Sequence, residues 1–279
     1  MNYKSIIEPD SKVNFKFGEI LKYKDLFLTL SWRDLKIRYA QTALGVLWAF
    51  FQPIVQILIS VVIFSYALKV DTEGIHPILF TTCGMCLWTY FSFVLSNSGN
   101  SIIQAADMIK KVYFPRLIIP LSKSLVGFVE FGISLLLVLI ACFVYGRIPS
   151  MNIIFTPIFM LQGIVSALGI GIWLSALTIR FRDFQHIIPF VVQMGLYATP
   201  VAYPAKPLLE GAAEKGNEWI GYIYYLNPMA GAVEGFKWSI LDTSLYFHHT
   251  LFSAIVAVTL FITGIMYFNK IERKIADLV

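Results

Sequence analysis

The feature that most constrains this chain is a series of long stretches without a single charged side chain. They run Tyr39–Leu68, Pro77–Ala106, Ile148–Ile179, Ile187–Ala205 and Thr250–Asn269. Another, Leu117–Tyr145, is interrupted only by Lys123 and Glu130. A helix needs about 20 mostly apolar residues to cross the hydrocarbon of a bilayer, where each backbone polar group must be satisfied internally. The chain is 57% hydrophobic and 14% charged, against about 25% charged in a soluble domain. The expected fold is an all-α integral membrane protein with six transmembrane helices. The fifth, Ile187–Ala205, is the shortest and carries Pro189, Pro200 and Pro204. We expect a single membrane domain over 1–279: a cytoplasmic N-terminus at 1–38, the six-span region at 39–270 and a cytoplasmic tail at 271–279.

Lys and Arg set the orientation, because they accumulate on the cytoplasmic side of membrane proteins. With the N-terminus inside, 17 of the 22 basic residues fall on the inner side. The outer side holds only Lys69, Arg147, Lys206, Lys215 and Lys237. Both termini are therefore expected in the cytoplasm. The net charge of +5 reflects this topology and gives no reason to propose nucleic-acid binding. The first 38 residues are polar and charged, so the first span is expected to act as an uncleaved anchor. Cys83, Cys86 and Cys142 all fall within spans, and the CxxC pair has no second pair and no nearby His. Buried thiols acting as small apolar residues are expected.

Ahead of the first span, Leu21–Arg38 has helical periodicity. Lys22, Asp25, Thr29, Arg33 and Lys36 form a polar face, and Tyr23, Leu26, Leu30 and Ile37 an apolar one. This predicts an amphipathic helix in the plane of the interface, a membrane anchor or a docking element for a partner. In the third span Lys123, Gly127, Glu130 and Ser134 share a face. Glu130 stands about 20 Å along the helix from Arg116. A carboxylate there requires a partner or a water-filled space. In the fourth span Gly163, Ala167, Gly171 and Ser175 recur every four residues, a stripe for close helix packing.

The outer segment before the last span becomes apolar and aromatic in IGYIYYLNPMAGAVEGFKWSIL. Asn227 followed by Pro228 predicts a helix start, with a capping side chain and a proline at the first helical position. The helix Pro228–Leu241 would be about 21 Å long, too short to cross, so it is expected to dip into the outer leaflet and return. Phe50, Phe51, Trp88 and Tyr90 are either part of an aromatic belt at the interface or rings lining a sugar path.

No GxxxxGK[ST] phosphate loop and no GxGxxG after a strand occur, so ATP has no standard cradle in this chain. His76, His186, His248 and His249 lack metal-ligand spacing, and no acidic cluster suited to magnesium is visible. Asp183, beside Arg180 and Arg182, is expected to form an ion pair.

Four stretches together resemble a known family. RDLKIRYAQTALGVLWAFFQP, KKVYFPRLIIPLS, RFRDFQHIIPFVVQMGLYATPVAYP and YLNPMAGAVEGFKW are similar in order and position to polysaccharide-exporting ATP-binding-cassette permeases. That family includes the O-antigen and teichoic-acid exporters. The resemblance implies a homodimer in the bacterial inner membrane, partnered by two copies of a separate ATPase that binds ATP and Mg, with no cofactor or metal in this chain. It implies a substrate of polysaccharide on undecaprenyl diphosphate, moved to the periplasm through a channel at the dimer interface. ATPase docking then falls to Leu21–Arg38 and the loop near Asn97–Val112, with Lys22, Asp25, Arg33, Asp107, Lys110 and Lys111 as candidates.

Arg33, Lys36 and Arg38 are candidates for the lipid diphosphate, and Glu130, Phe50, Phe51, Trp88 and Tyr90 for the channel. Pro115 and Pro120 are candidate hinges where motor motion enters the third span. Asn227, Pro228, Glu234 and Trp238 are candidates for a periplasmic gate. Alternatives are an exporter of teichoic acid, capsule, a drug or a small lipid, a membrane-embedded polyprenyl-phosphate transferase, and a scaffold subunit.

Overall fold

The computed structural model describes residues 22–40, 47–112 and 114–272. Leu21, residues 41–46 at the entry to the first span, Tyr113 and the tail from 273 lie outside the described residues. Eleven α-helices follow in order among them: α1 Lys24–Ala40, α2 Leu47–Val61, α3 Pro77–Gln104, α4 Ala106–Lys111, α5 Ile118–Val144, α6 Thr156–Arg180, α7 Phe184–Ala198, α8 Lys206–Glu214, α9 Trp219–Tyr224, α10 Pro228–Leu241 and α11 Phe247–Glu272. A π-helical turn, Val62–Ala67, extends α2, and a 3-10 turn, Met151–Phe155, leads into α6.

Among the described residues, five helices are long and apolar enough to cross a membrane: α2 with its π turn, α3, α5, α6 with its 3-10 turn, and α11. The remaining apolar stretch, Ile187–Ala205, divides. Its helix α7 has 15 residues, about 22 Å, short of the roughly 30 Å hydrocarbon thickness. The cause is local. Pro200 disfavours the α conformation of the residue before it, and Thr199 is extended at φ −106°, ψ 140°.

α3 is the axis of the bundle, buried along most of its length between α5, α6, α7 and α10. Lipid tails are as apolar as leucine, so helices in a membrane associate through close packing. The small-residue stripe of α6 serves this purpose within the chain. A Cβ on Gly163 would come within 2.9 Å of Leu87, and one on Gly171 within 2.9 Å of Ser98. The other side of α6 meets α11, where a Cβ on Gly264 would lie 2.9 Å from the Gly169 carbonyl.

At one end of the bundle, the Ser31 hydroxyl donates to the Ser122 carbonyl at 3.1 Å, and Thr178 to the Gly99 carbonyl at 3.1 Å. The Arg116 N–H donates to the Glu272 carboxylate at 2.9 Å, and its guanidinium to the Glu272 carbonyl at 2.8 Å. At the opposite end Arg147 caps α10 through the Leu241 carbonyl at 2.9 Å. There too the Ser244 N–H reaches the Glu73 carboxylate at 2.8 Å. α3, α5 and α6 therefore alternate in direction, and α11 runs the same way as α6.

α10 begins where the sequence predicts. The Asn227 side chain accepts from the Met229 N–H at 3.0 Å, and Pro228 takes the first position. Every residue of α10 except Trp238 is buried, enclosed by α3, α6 and α11.

Candidate functional site

Three polar places stand out in this apolar bundle. The first lies where α1 runs against α3 and α5. Asp34 pairs with Lys123 and also with Arg33 at 2.9 Å. Arg38 meets Glu130 at 2.7 Å and holds its guanidinium 4.5 Å from the centre of the Phe93 ring. Glu130 thus has a charged partner. Phe93 and Glu130 are each about 17–18 Å from the near ends of α3 and α5, so the C-terminal part of α1 extends alongside these helices. Arg33, Asp34, Arg38 and Lys123 wall a cavity of about 520 Å³ with Asn97, Ser101 and Gln104. Lys36 is exposed and lies outside the cavity lining.

The docking candidates Lys22, just ahead of α1, and Asp25 and Arg33 along it are exposed, as are Asp107, Lys110 and Lys111 along α4. Ile37, expected on the packed face, is 65% exposed, because Asp34 and Arg38 occupy that face in their ion pairs. Pro115 stands three residues before α5, its carbonyl accepting from the Ile118 N–H at 3.2 Å. Pro120 is the third residue of α5, where an N–H has no partner within the helix, so it imposes no kink. Asp183 is exposed and makes no salt bridge among the described residues, while Arg180 lies over the Phe181 ring at 5.0 Å.

The second place is a groove of about 460 Å³ between α2, α3 and α7. Its polar lining is uncharged: Gln56 and Ser60 from α2, Ser96 and Asn100 from α3, Gln193 and Tyr197 from α7. Ile59, Ile63, Val192 and Leu196 supply apolar wall between them. Trp88 and Tyr90, expected as interface or path aromatics, are core residues instead. Trp88 packs over Gly195 of α7, and Tyr90 donates to the Ser124 carbonyl at 3.3 Å. Both are buried on α3, and neither lines the groove. Phe51 is exposed and Phe50 half-buried on α2. Gln56 and Gln193 escaped notice in the sequence; an amide inside a charge-free window was the signal.

The third place is the cradle of α10. Lys237 and Glu234 are both buried there. The Lys237 ammonium donates to the Pro200 carbonyl at 2.7 Å and to the Tyr203 carbonyl at 3.4 Å, 4.0 Å from the centre of the Phe80 ring. Glu234 accepts from the Ala205 N–H at 2.8 Å and from the Tyr225 hydroxyl. Asn227, besides capping α10, donates to the Thr199 hydroxyl at 2.8 Å. Trp238, half-exposed, packs against Phe155 and Phe159. Among the described residues no group of His, Cys, Asp and Glu is disposed to hold a metal ion.

The chain is similar to known proteins over most of its length. The family model for the ABC-2 type transporter matches residues 25–241, from the first turn of α1 to the last residue of α10. The O-antigen export system permease protein RfbA of Klebsiella pneumoniae is 26% identical over 269 residues, covering 96% of this chain and 99% of that protein. A second RfbA from K. pneumoniae is 27% identical over the same length. RfbA of Myxococcus xanthus is 27% identical over 233 residues, 84% of each chain. With five helices fit to cross a bilayer and a match over most of its length, this chain belongs to the ABC-2 type transporter family of multi-pass membrane proteins.

Proposed function

We propose that the chain is the permease subunit of an ATP-driven exporter that moves an O-antigen-like polysaccharide on undecaprenyl diphosphate from cytoplasm to periplasm. It works in the bacterial inner membrane as a homodimer with two copies of a separate ATPase. The observation that carries this reading is the α2–α3–α7 groove. Amides and hydroxyls without charge, spaced by aliphatic side chains, suit a hydroxylated polymer that must slide without being held. The names of the near-full-length relatives agree with it. α7 buries only Ile188, which leaves its outer face for the second copy.

The end bearing α1 and α4 is assigned to the cytoplasm, a placement the Lys and Arg distribution supports. The cavity walled by Arg33, Arg38 and Lys123 is then where the diphosphate enters, and α1 and α4 meet the ATPase. α7 and α10 share one crossing. α7 rises from the cytoplasmic side, and Asn227 at the start of α10 bonds to its C-terminal end, at Ala198 and Thr199. The segment between them returns at the outer face as the periplasmic gate.

The test uses inverted membrane vesicles carrying the permease–ATPase complex and a radiolabelled undecaprenyl-diphosphate glycan. ATP is expected to protect the glycan from a glycosidase added outside. ATP hydrolysis without protection overturns the proposal, and movement of phospholipid alone points to a small-lipid exporter.

A further inference from the structure

A proline pattern explains why Lys237 is buried in the α10 cradle. In an α-helix the carbonyl of residue i accepts from the N–H of residue i+4. For Pro200 that donor would come from residue 204, and for Tyr203 from residue 207. Both are prolines, which have no N–H. Lys237 donates to these same two carbonyls. Its ammonium therefore replaces the donors that Pro204 and Pro207 lack. One turn earlier, Glu234 takes the Ala205 N–H. A buried charge is costly unless it is paired and hydrogen-bonded, and here the bonds go to the break between α7 and α8. On its other side the Val201 carbonyl lies so close to Gly84 that a Cβ there would collide with it.

The break in turn fixes an aromatic pair. The Tyr203 ring stacks on Phe64 of the π turn, with centroids 5.5 Å apart and planes at 28°. The Tyr203 hydroxyl donates to the Tyr197 carbonyl at 2.8 Å and accepts from the Tyr224 hydroxyl at 3.2 Å. Tyr197 lines the α2–α3–α7 groove and its ring lies 6.3 Å from Phe64. The stack therefore stands at the end of the groove beside the break.

We propose that Lys237 and Glu234 are positioning residues for export: they hold the α7–α8 break so that the Tyr203–Phe64 stack closes the outer end of the groove. The inference rests on the groove being the glycan path, and its test does not require glycan to move.

In a background without Cys83, Cys86 and Cys142, a reporter cysteine replaces Gln193 in the groove of the assembled complex. A membrane-impermeant maleimide is added from the periplasmic side without ATP. Lys237→Met keeps the bulk of the side chain and loses its donors; it is expected to raise the labelling rate about tenfold, the scale of losing hydrogen bonds from a charged donor. Lys237→Arg, which keeps donors, is expected to retain most of the protection. Unchanged labelling in an assembled Lys237→Met complex overturns the proposal. Should that variant fail to assemble, Phe64→Ala with Tyr203→Ala leaves the buried charges in place and is expected to give the same rise. Unchanged labelling there overturns it equally.

Discussion

The guanidinium of Arg38 meets the carboxylate of Glu130 at 2.7 Å, which joins the helix ahead of the first span to the middle of α5. Together with the Asp34–Lys123 pair and the Ser31–Ser122 hydrogen bond, it makes α1 and α5 one mechanical unit. A force applied to α1 would reach α5 without passing through the loop that carries Pro115. Two routes therefore lead into α5, one lateral through ion pairs and one along the chain from α4.

The lateral route can be weighed by a double-mutant cycle. Removing one partner of a fully buried pair costs about 3–5 kcal/mol. Arg38 keeps about a third of its exposure, whereas Glu130 is 6% exposed. Arg38→Ala is expected to cost about 2 kcal/mol. Arg38→Ala with Glu130→Gln should lose less than the sum of the two single changes, with a coupling of about 1 kcal/mol. Thermal unfolding of the purified protein in detergent checks this, and strict additivity would show that the pair is not coupled.

Gly84 and Gly132 should respond in opposite ways to alanine. A Cβ at Gly84 would run into the Val201 backbone, while one at Gly132 has nothing within 4 Å. Gly84→Ala is expected to lower stability by about 1–3 kcal/mol, the usual cost of overpacking. Gly132→Ala should leave it unchanged or raise it by about 0.5–1 kcal/mol through helix propensity. Melting temperatures of the two variants, measured side by side, decide it.

Groove polarity should govern transport more than stability. Gln193→Leu and Asn100→Leu each remove an amide from the groove lining. A hydrogen bond contributes about 0.5–1.5 kcal/mol net, so glycan export is expected to fall about 2–10-fold per substitution. The ATPase rate of the complex should remain. Export and hydrolysis measured on the same vesicles separate the two effects; equal losses in both would assign these residues to assembly.

The exposed charges of α4 should control docking of the ATPase. Lys110→Glu with Lys111→Glu is expected to reduce recovery of the ATPase on the purified permease about tenfold at low salt, because charges at an interface rim act mainly on association. The deficit should shrink as ionic strength shortens the Debye length below about 10 Å. Quantitative co-purification over a salt series measures this. Unchanged recovery at every salt concentration removes both lysines from the contact.

Features that depend on neighbouring residues were legible in the sequence. Asn227 and Pro228 carry their own cap and first-turn chemistry, and the charge-free windows located four of the five long helices, the other lying in the stretch interrupted by Lys123 and Glu130. Pro200 was visible too, but its effect on Thr199, and so the shortening of α7, needed the three-dimensional chain to be decided. Trp88 and Phe51 look alike in a window of sequence. Only the placement of α3 at the bundle axis separates the buried ring from the exposed one. Glu130 announced that it required a partner, yet Arg38 lies on another helix with nothing local to link them. Lys237 counted merely as an outer basic residue, because the carbonyls that it serves belong to a different segment.

The π turn at Val62–Ala67 has a consequence for how this chain tolerates length changes. Its bonds reach five residues back, as between the Leu68 N–H and the Ile63 carbonyl at 3.0 Å, so the turn holds one residue more than an α-helix of the same height. A one-residue deletion there would be absorbed by tightening the turn, and the span would keep its reach. The ring of Phe64 would nevertheless swing by about 100°, one α-helical step, and lose its stack on Tyr203. Deletion scanning across this segment should therefore separate a protein that inserts and assembles normally from one whose groove still shuts.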